Sequence, residues 1–162
     1  MCTANKESDR EDDVMIRYIE MESAHIDGLV KVEEECFNSG FARQTFEREL
    51  ENKIAIYVVA LDGDDIIGYA GLWDICGEAD IMHVGVLKER RRCGIAFEML
   101  KALIELCKQR GVFAVNLEVR KSNDAAQRLY EKLNFERVGL RKNYYDGKED
   151  AVLMKLELEK EE

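Results

Sequence analysis

Apolar residues along this chain alternate between two spacings, and the changes of spacing mark its elements. Ile95, Met99, Leu103, Ile104 and Cys107 recur at helical intervals and Gly111 stands where a helix usually stops, which predicts a long amphipathic helix to Arg110. Earlier, Ile26, Leu29, Val30 and Glu33 share one mostly apolar face, which predicts a helix over 24–37 with Ser23 as N-cap. After the loop Asn38-Ser39-Gly40-Phe41 a shorter helix has Phe46 and Leu50 one turn apart. The segments 15–19, 54–61, 66–75, 81–86 and 112–119 are instead β-rich. Asp62-Gly63-Asp64-Asp65 joins the second and third as a hairpin, and Gly85 inside the fourth predicts a bulge or a close backbone approach.

Strand, helix, strand over 81–119 predicts a right-handed parallel crossover. Ser122 or Asn123 then caps a helix with Ala125, Ala126, Leu129, Tyr130 and Leu133 on its apolar side. The segments 136–141 and 151–158 finish as antiparallel strands, with Asn143-Tyr144-Tyr145-Asp146-Gly147 as the loop between them. No repeat or linker interrupts the series, so one domain is expected over 14–158.

Composition narrows the function. At 162 residues the chain is long enough to bury a real core. No apolar run approaches the roughly 20 residues of a membrane span. Met1-Cys2-Thr3-Ala4-Asn5-Lys6-Glu7 lacks an apolar signal core, so neither export nor membrane association is expected. The five cysteines, Cys2, Cys36, Cys76, Cys93 and Cys107, are odd in number and form no C-x-x-C pair, which suits a reducing cytoplasm and argues against structural zinc. The net charge is −10, but 6–13 and 157–162 contribute −3 each. Residues 1–13 therefore read as a disordered acidic tail and 159–162 as a second one. The −4 that remains argues against a nucleic-acid surface. Proline is absent, where average usage gives about eight, and the sequence offers no physical reason.

Against this acidic background the turn 88–92 carries +3 just before the long helix. Unpaired N–H groups and the positive end of the helix dipole meet there, and the small residues Gly94 and Ala96 let an anion approach. Ordinary capping with a solvated basic turn uses the same residues.

The run Arg91-x-x-Gly94-x-Ala96 after an apolar strand resembles the acyl-coenzyme-A pyrophosphate loop of the GNAT superfamily of N-acetyltransferases. A second stretch, Leu117-Glu118-Val119-Arg120, Ser122-Asn123, Leu129-Tyr130 and Leu133-Asn134-Phe135, resembles the strand-to-helix segment of the bacterial ribosomal-protein-alanine N-acetyltransferases, the RimI family. Arg141, Asn143-Tyr144-Tyr145, Glu149-Asp150-Ala151 and Met154 resemble that family's C-terminal hairpin. The resemblance implies a GNAT-type α/β (α+β mixed) domain, with a mostly antiparallel sheet of about six to seven strands, about four helices and a parallel pair forming the acyl-CoA cleft. It implies acetyl-CoA as co-substrate without a metal, and direct transfer to the N-terminal amine, of alanine, of a ribosomal protein. It further implies a cytoplasmic protein, monomeric or weakly dimeric.

Site roles follow from the same resemblance. Val84, Gly85 and Val86 pair with the pantetheine arm, while Arg92, Cys93, Gly94, Ile95, Ala96 and Phe97 hold the pyrophosphate. Asn123 hydrogen-bonds the cofactor, Tyr130 is the general acid, and Phe41, Tyr144 and Tyr145 meet the acceptor. The chain departs from the family at Gly40-Phe41, where Pro-Trp is usual, and at Leu87, Ala96 and Asn134.

Read from the residues alone, a carboxylate between Leu117 and Val119 either faces solvent or lines a cleft at the carboxyl end of a strand, where ligands bind in such sheets. The second reading makes Glu118 the general base. Acetyl transfer needs a neutral amine: an α-amine near pKa 7.7–8 is easier to deprotonate than a lysine near 10.4 by roughly 3.5 kcal/mol. Glu118 would act through water or with a pKa raised by burial. Tyr130 would protonate the departing thiolate, or pack in the core with its hydroxyl on a backbone partner. Two rivals stay open: a GNAT enzyme for lysines or small amines, and a non-catalytic acyl-CoA sensor.

Overall fold

The computed structural model describes residues 15–40 and 43–159. The tail expected over 1–13, most of the one over 159–162, and Phe41 lie outside the described residues. Seven strands make one sheet: β1 Arg17–Glu20, β2 Ala55–Asp62, β3 Asp65–Ile75, β4 Glu78–Val86, β5 Ala114–Arg120, β6 Glu136–Tyr145 and β7 Glu149–Glu157. Their spatial order is β1-β2-β3-β4-β5-β7-β6, and only β4 and β5 run parallel. The helices are α1 Ile26–Cys36, α2 Arg43–Glu51, α3 Ile95–Gln109 and α4 Asp124–Lys132.

Both faces of the sheet are covered. Ile56, Val58 and Ala60 of β2 pack with Met99, Leu100 and Leu103 of α3 and with Val115, Leu117 and Val119 of β5. The intervening Tyr57, Val59 and Leu61 point the other way, against Leu29 and Val32 of α1 and Phe46 of α2. Coverage on two sides explains why β2 reads as a continuous apolar run. Each fully buried valine, leucine, isoleucine, phenylalanine or methionine among them contributes about 1.5–3 kcal/mol.

Two local expectations are corrected, and a third, open between two readings, is decided. Ser23 does not cap α1: a 3₁₀ turn over Ser23–His25 precedes it, with the Glu22 N–H donating to His25 Nδ1 at 2.9 Å. Asn143, Tyr144 and Tyr145 belong to β6 rather than to a loop, because a register irregularity between Arg141 and Tyr145, with Asn143 at φ +54°, carries the strand further. Gly85 is not the bulge. The extra residue is Met82, since Gly71 pairs with His83 and Leu72 with Ile81. Gly85 is instead the close approach: a Cβ there would lie 2.9 Å from the Phe37 ring.

Candidate active site

The parallel pair decides where a ligand can enter. Glu78, Ala79 and Asp80 pair with Ala114, Val115 and Asn116, and there the ladder stops. Beyond it the strands part, which frees one edge of β4. The Leu87 N–H donates to the Ile67 carbonyl of β3 at 2.9 Å, so by the alternation of a strand the polar groups of Val84 and Val86 face the freed edge. The Val86 carbonyl is already engaged by Arg91 Nε at 2.9 Å and by the Cys36 thiol at 3.3 Å. Both polar groups of Val84 and the N–H of Val86 remain to pair with an extended ligand.

A cleft of about 1020 Å³ opens along this edge, walled by Val84 to Val86, by the turn into α3, and by Asn123 and Tyr130. Gly94 is the N-cap of α3 with φ +77° and no side chain to cap with, so the first-turn N–H groups of Ile95, Ala96 and Phe97 are left for an anion. The first helical bond runs from Glu98 N to Gly94 O at 3.1 Å. The three arginines divide: Arg90 pairs with Asp62, Arg91 braces β4, and Arg92, at φ +62°, stays exposed. All ten sequence-derived cofactor positions line the cleft. Asn123 also caps α4, its Oδ1 accepting from the Ala126 N–H at 3.1 Å.

Tyr130 is 9% exposed and packs edge-on against Phe135 at 5.7 Å between ring centroids. Burial, then the nearby Tyr145, push its phenol up to about 12. Gln127, one turn earlier, donates to the Arg120 and Lys121 carbonyls at 3.1 and 2.9 Å. That staple fixes α4 to the end of β5; its only mark along the chain is a polar residue on an apolar helix face.

Glu118 is not in the wall of this cleft. Its neighbours Leu117 and Val119 point into the α3/α4 core, so it projects from the opposite face. Arg141 Nη1 lies 3.2 Å from its Oε1. The neighbouring Glu118 carboxylate raises the pKa of the Tyr144 phenol. Tyr144 and Tyr145 meet edge to face at 5.1 Å, with Arg141 over the first ring and Arg120 over the second. The cleft and the carboxylate thus lie on opposite faces of one sheet, joined where β4 and β5 part.

Residues 26–135 match the family model described as Acetyltransferase (GNAT) family. The chain belongs to the GNAT family. Among its GNAT relatives, the ribosomal protein bS18-alanine N-acetyltransferase of Escherichia coli K12 is 30% identical over 139 residues, which are 84% of this chain and 93% of that one. A Bacillus subtilis protein named as a candidate for the same activity is 36% identical over 131 residues, 80% of this chain and 87% of its own. The crystal structure of the Escherichia coli ribosomal-protein-S18-alanine N-acetyltransferase superposes with a TM-score of 0.78 at 28% identity, covering 88% of this chain and 94% of that one.

This GNAT chain also has site features that sequence reasoning passed over. Cys36 and Phe37, at the end of α1, line the cleft, as do Arg128 and Lys132 of α4. The two basic residues, one turn apart, were readable as a helical pair; the α1 residues reach the cleft only through the tertiary fold. Glu33 is 1% exposed, and its carboxylate accepts from the Ser39 N–H at 3.0 Å and from the Ser39 hydroxyl. It pins the loop after α1. Among the described residues no cluster of His, Cys, Asp and Glu side chains could hold a metal ion, and no helix is long and apolar enough to cross a membrane.

Proposed function

We propose that this GNAT protein transfers the acetyl group of acetyl-CoA directly to the N-terminal α-amine of a protein, with alanine as first residue and a ribosomal protein as acceptor. One observation carries the reading: β4 and β5 part beyond Asp80 and Asn116, which connects the cleft on the α3/α4 face to Glu118 on the other. A phosphate-bearing cofactor and an amine can then approach one reacting centre from opposite sides. The relatives named for ribosomal protein bS18 alanine support the acceptor class.

Acetyl-CoA supplies the activated acyl carbon. The first-turn N–H groups of α3 fit its phosphates, and the freed edge of β4 fits its amide-bearing arm. Glu118 takes the proton of the ammonium, directly or through one water, so that the amine attacks as a neutral nucleophile. Tyr130 returns a proton to the departing sulfur. Its raised pKa keeps the phenol loaded at neutral pH. Tyr144 and Tyr145 bound the groove for the first residues of the acceptor.

The test is acetyl-CoA turnover, followed by thiol release, on two peptides: one beginning Ala-Arg with a free N-terminus, the other N-terminally blocked and carrying a lysine. Turnover of the first alone is expected. Turnover of the lysine peptide would make the chain a side-chain acetyltransferase, and cofactor binding without turnover of any amine would make it a sensor.

A further inference from the structure

β4 carries one residue more than its ladder needs. Ala79 and Ile81 point into the α3/α4 core, and in strict period two His83 would follow them there. The extra residue at Met82 resets the alternation, after which Val84 and Val86 face that core and His83 does not. The His83 ring emerges on the α1/α2 face, 5.6 Å from the Phe37 ring and 6.3 Å from that of Tyr69.

The parallel register fixes what stands opposite. Asp80 pairs with Asn116. Two residues on, on the same face as Asn116, is Glu118; the matching step along β4, with the bulge counted once, is His83. By then the strands have parted, so His83 and Glu118 occupy the two banks of the gap on the face from which an amine would approach. The Tyr69 hydroxyl beside His83 is buried without a hydrogen-bond partner among the described residues, which leaves a polar group for a ligand or water to satisfy.

Resting on the N-terminal acetyltransferase reading, we propose that His83 is an acceptor-binding residue whose imidazole takes a hydrogen bond from the incoming α-amine on the bank opposite Glu118. The role needs a neutral ring. Burial lowers the His83 pKa, against the pull of Glu33 from α1 and Glu49 from α2. Cys36 from α1, Tyr57 from β2, Tyr69 from β3, Asp80 from β4 itself, and Glu118 with Arg141 and Tyr144 across the gap are further titratable or charged groups on this side. Below the ordinary imidazole value the ring charges and faces an ammonium, so acceptor binding is lost as pH falls.

The chain has two histidines, His25 and His83, so their NMR signals are easily assigned. In the wild-type protein the His83 Cε1–H signal is expected to move on adding the Ala-Arg peptide and to stay put with acetyl-CoA alone. His83→Ala and His83→Asn are expected to lower kcat/KM for that peptide about tenfold, the size of one hydrogen bond to a charged partner, mainly through KM. Acetyl-CoA affinity stays within about twofold. The acid limb of kcat/KM, steeper than one proton in the wild type, relaxes to the single slope of the amine. An active wild type whose His83 signal ignores the peptide overturns the inference, as does a His83→Ala variant with unchanged KM and pH profile. The NMR result stands even if the variants misfold. A wild type that acetylates no free N-terminus removes the parent reading, and this one with it.

Discussion

The two faces of the sheet are built differently. On the α3/α4 face, most of the cleft comes from one stretch, Val84 to Phe97, and from one helix, with backbone groups as the principal donors. On the α1/α2 face the polar groups arrive singly: Glu33 from α1, Glu49 from α2, His83 from β4, Glu118 from β5, Arg141 and Tyr144 from β6. A cofactor that is always the same can be read by backbone geometry, which is local in sequence. An acceptor that differs between enzymes of one fold is read by side chains gathered from distant segments.

If the division is real, the two faces should fail separately. The largest effect is expected at Glu118. Glu118→Gln should lower kcat about a thousandfold, within the usual span for a lost general base, and leave acetyl-CoA affinity by calorimetry unchanged, because Glu118 is no part of the cleft wall. Weakened acetyl-CoA binding with kcat intact would place Glu118 on the cofactor side and undo the comparison.

Tyr130→Phe comes next, at about a hundredfold in kcat. The phenol is pushed up to about 12, so it loses its proton only well above the ordinary tyrosine value near 10. As an acid it is active below its pKa and fails above it, so wild-type kcat should hold flat through about pH 10. An alkaline fall centred lower would take the acid role from Tyr130.

The same division separates what could be read from the chain. Helical spacing from Ile95, the glycine at 94 and the β-rich runs are local signals; they mark the crossover, and the motif resemblance built on them picks out ten residues that line the cleft, but not Cys36, Phe37, Arg128 or Lys132. Glu118 was found because it ends a strand of that crossover, and Tyr130 through the motif resemblance of the helix that follows. The bulge at Met82 and the burial of Glu49 had no local mark, and Glu33 was marked only by its place on the apolar face of its helix. A glutamate on a helix reads as solvated until the fold brings donors to it, and one extra strand residue is invisible until its partner strand is known.

Glu49 tests the acceptor face for stability rather than chemistry. Its Oε2 accepts from the Tyr57 hydroxyl at 2.7 Å and from Trp73 Nε1 at 2.8 Å, and Asn52 Nδ2 lies 3.3 Å from Oε1. Glu49→Ala strands two donors on the sheet and unties α2 from it. The expected loss is about 2–3 kcal/mol, or roughly 4–12 °C in Tm, by thermal unfolding. Acetyl-CoA affinity, measured below the transition, should not change, whereas KM for the peptide should rise.

The smallest effect is the most discriminating about how the cofactor face works. A Cβ built on Gly94 meets nothing within 4 Å, yet its φ is +77°, so the glycine serves backbone conformation rather than space inside the protein. Gly94→Ala should cost about 1–2 kcal/mol, the usual penalty for a left-handed L-residue, and weaken acetyl-CoA by about tenfold at most. Asparagine tolerates that conformation better than alanine does. If conformation is what matters, Gly94→Asn should bind acetyl-CoA more tightly than Gly94→Ala despite its bulk. The reverse order would mean that the phosphate itself needs the empty space above Gly94, and that this face, too, reads its ligand by contact.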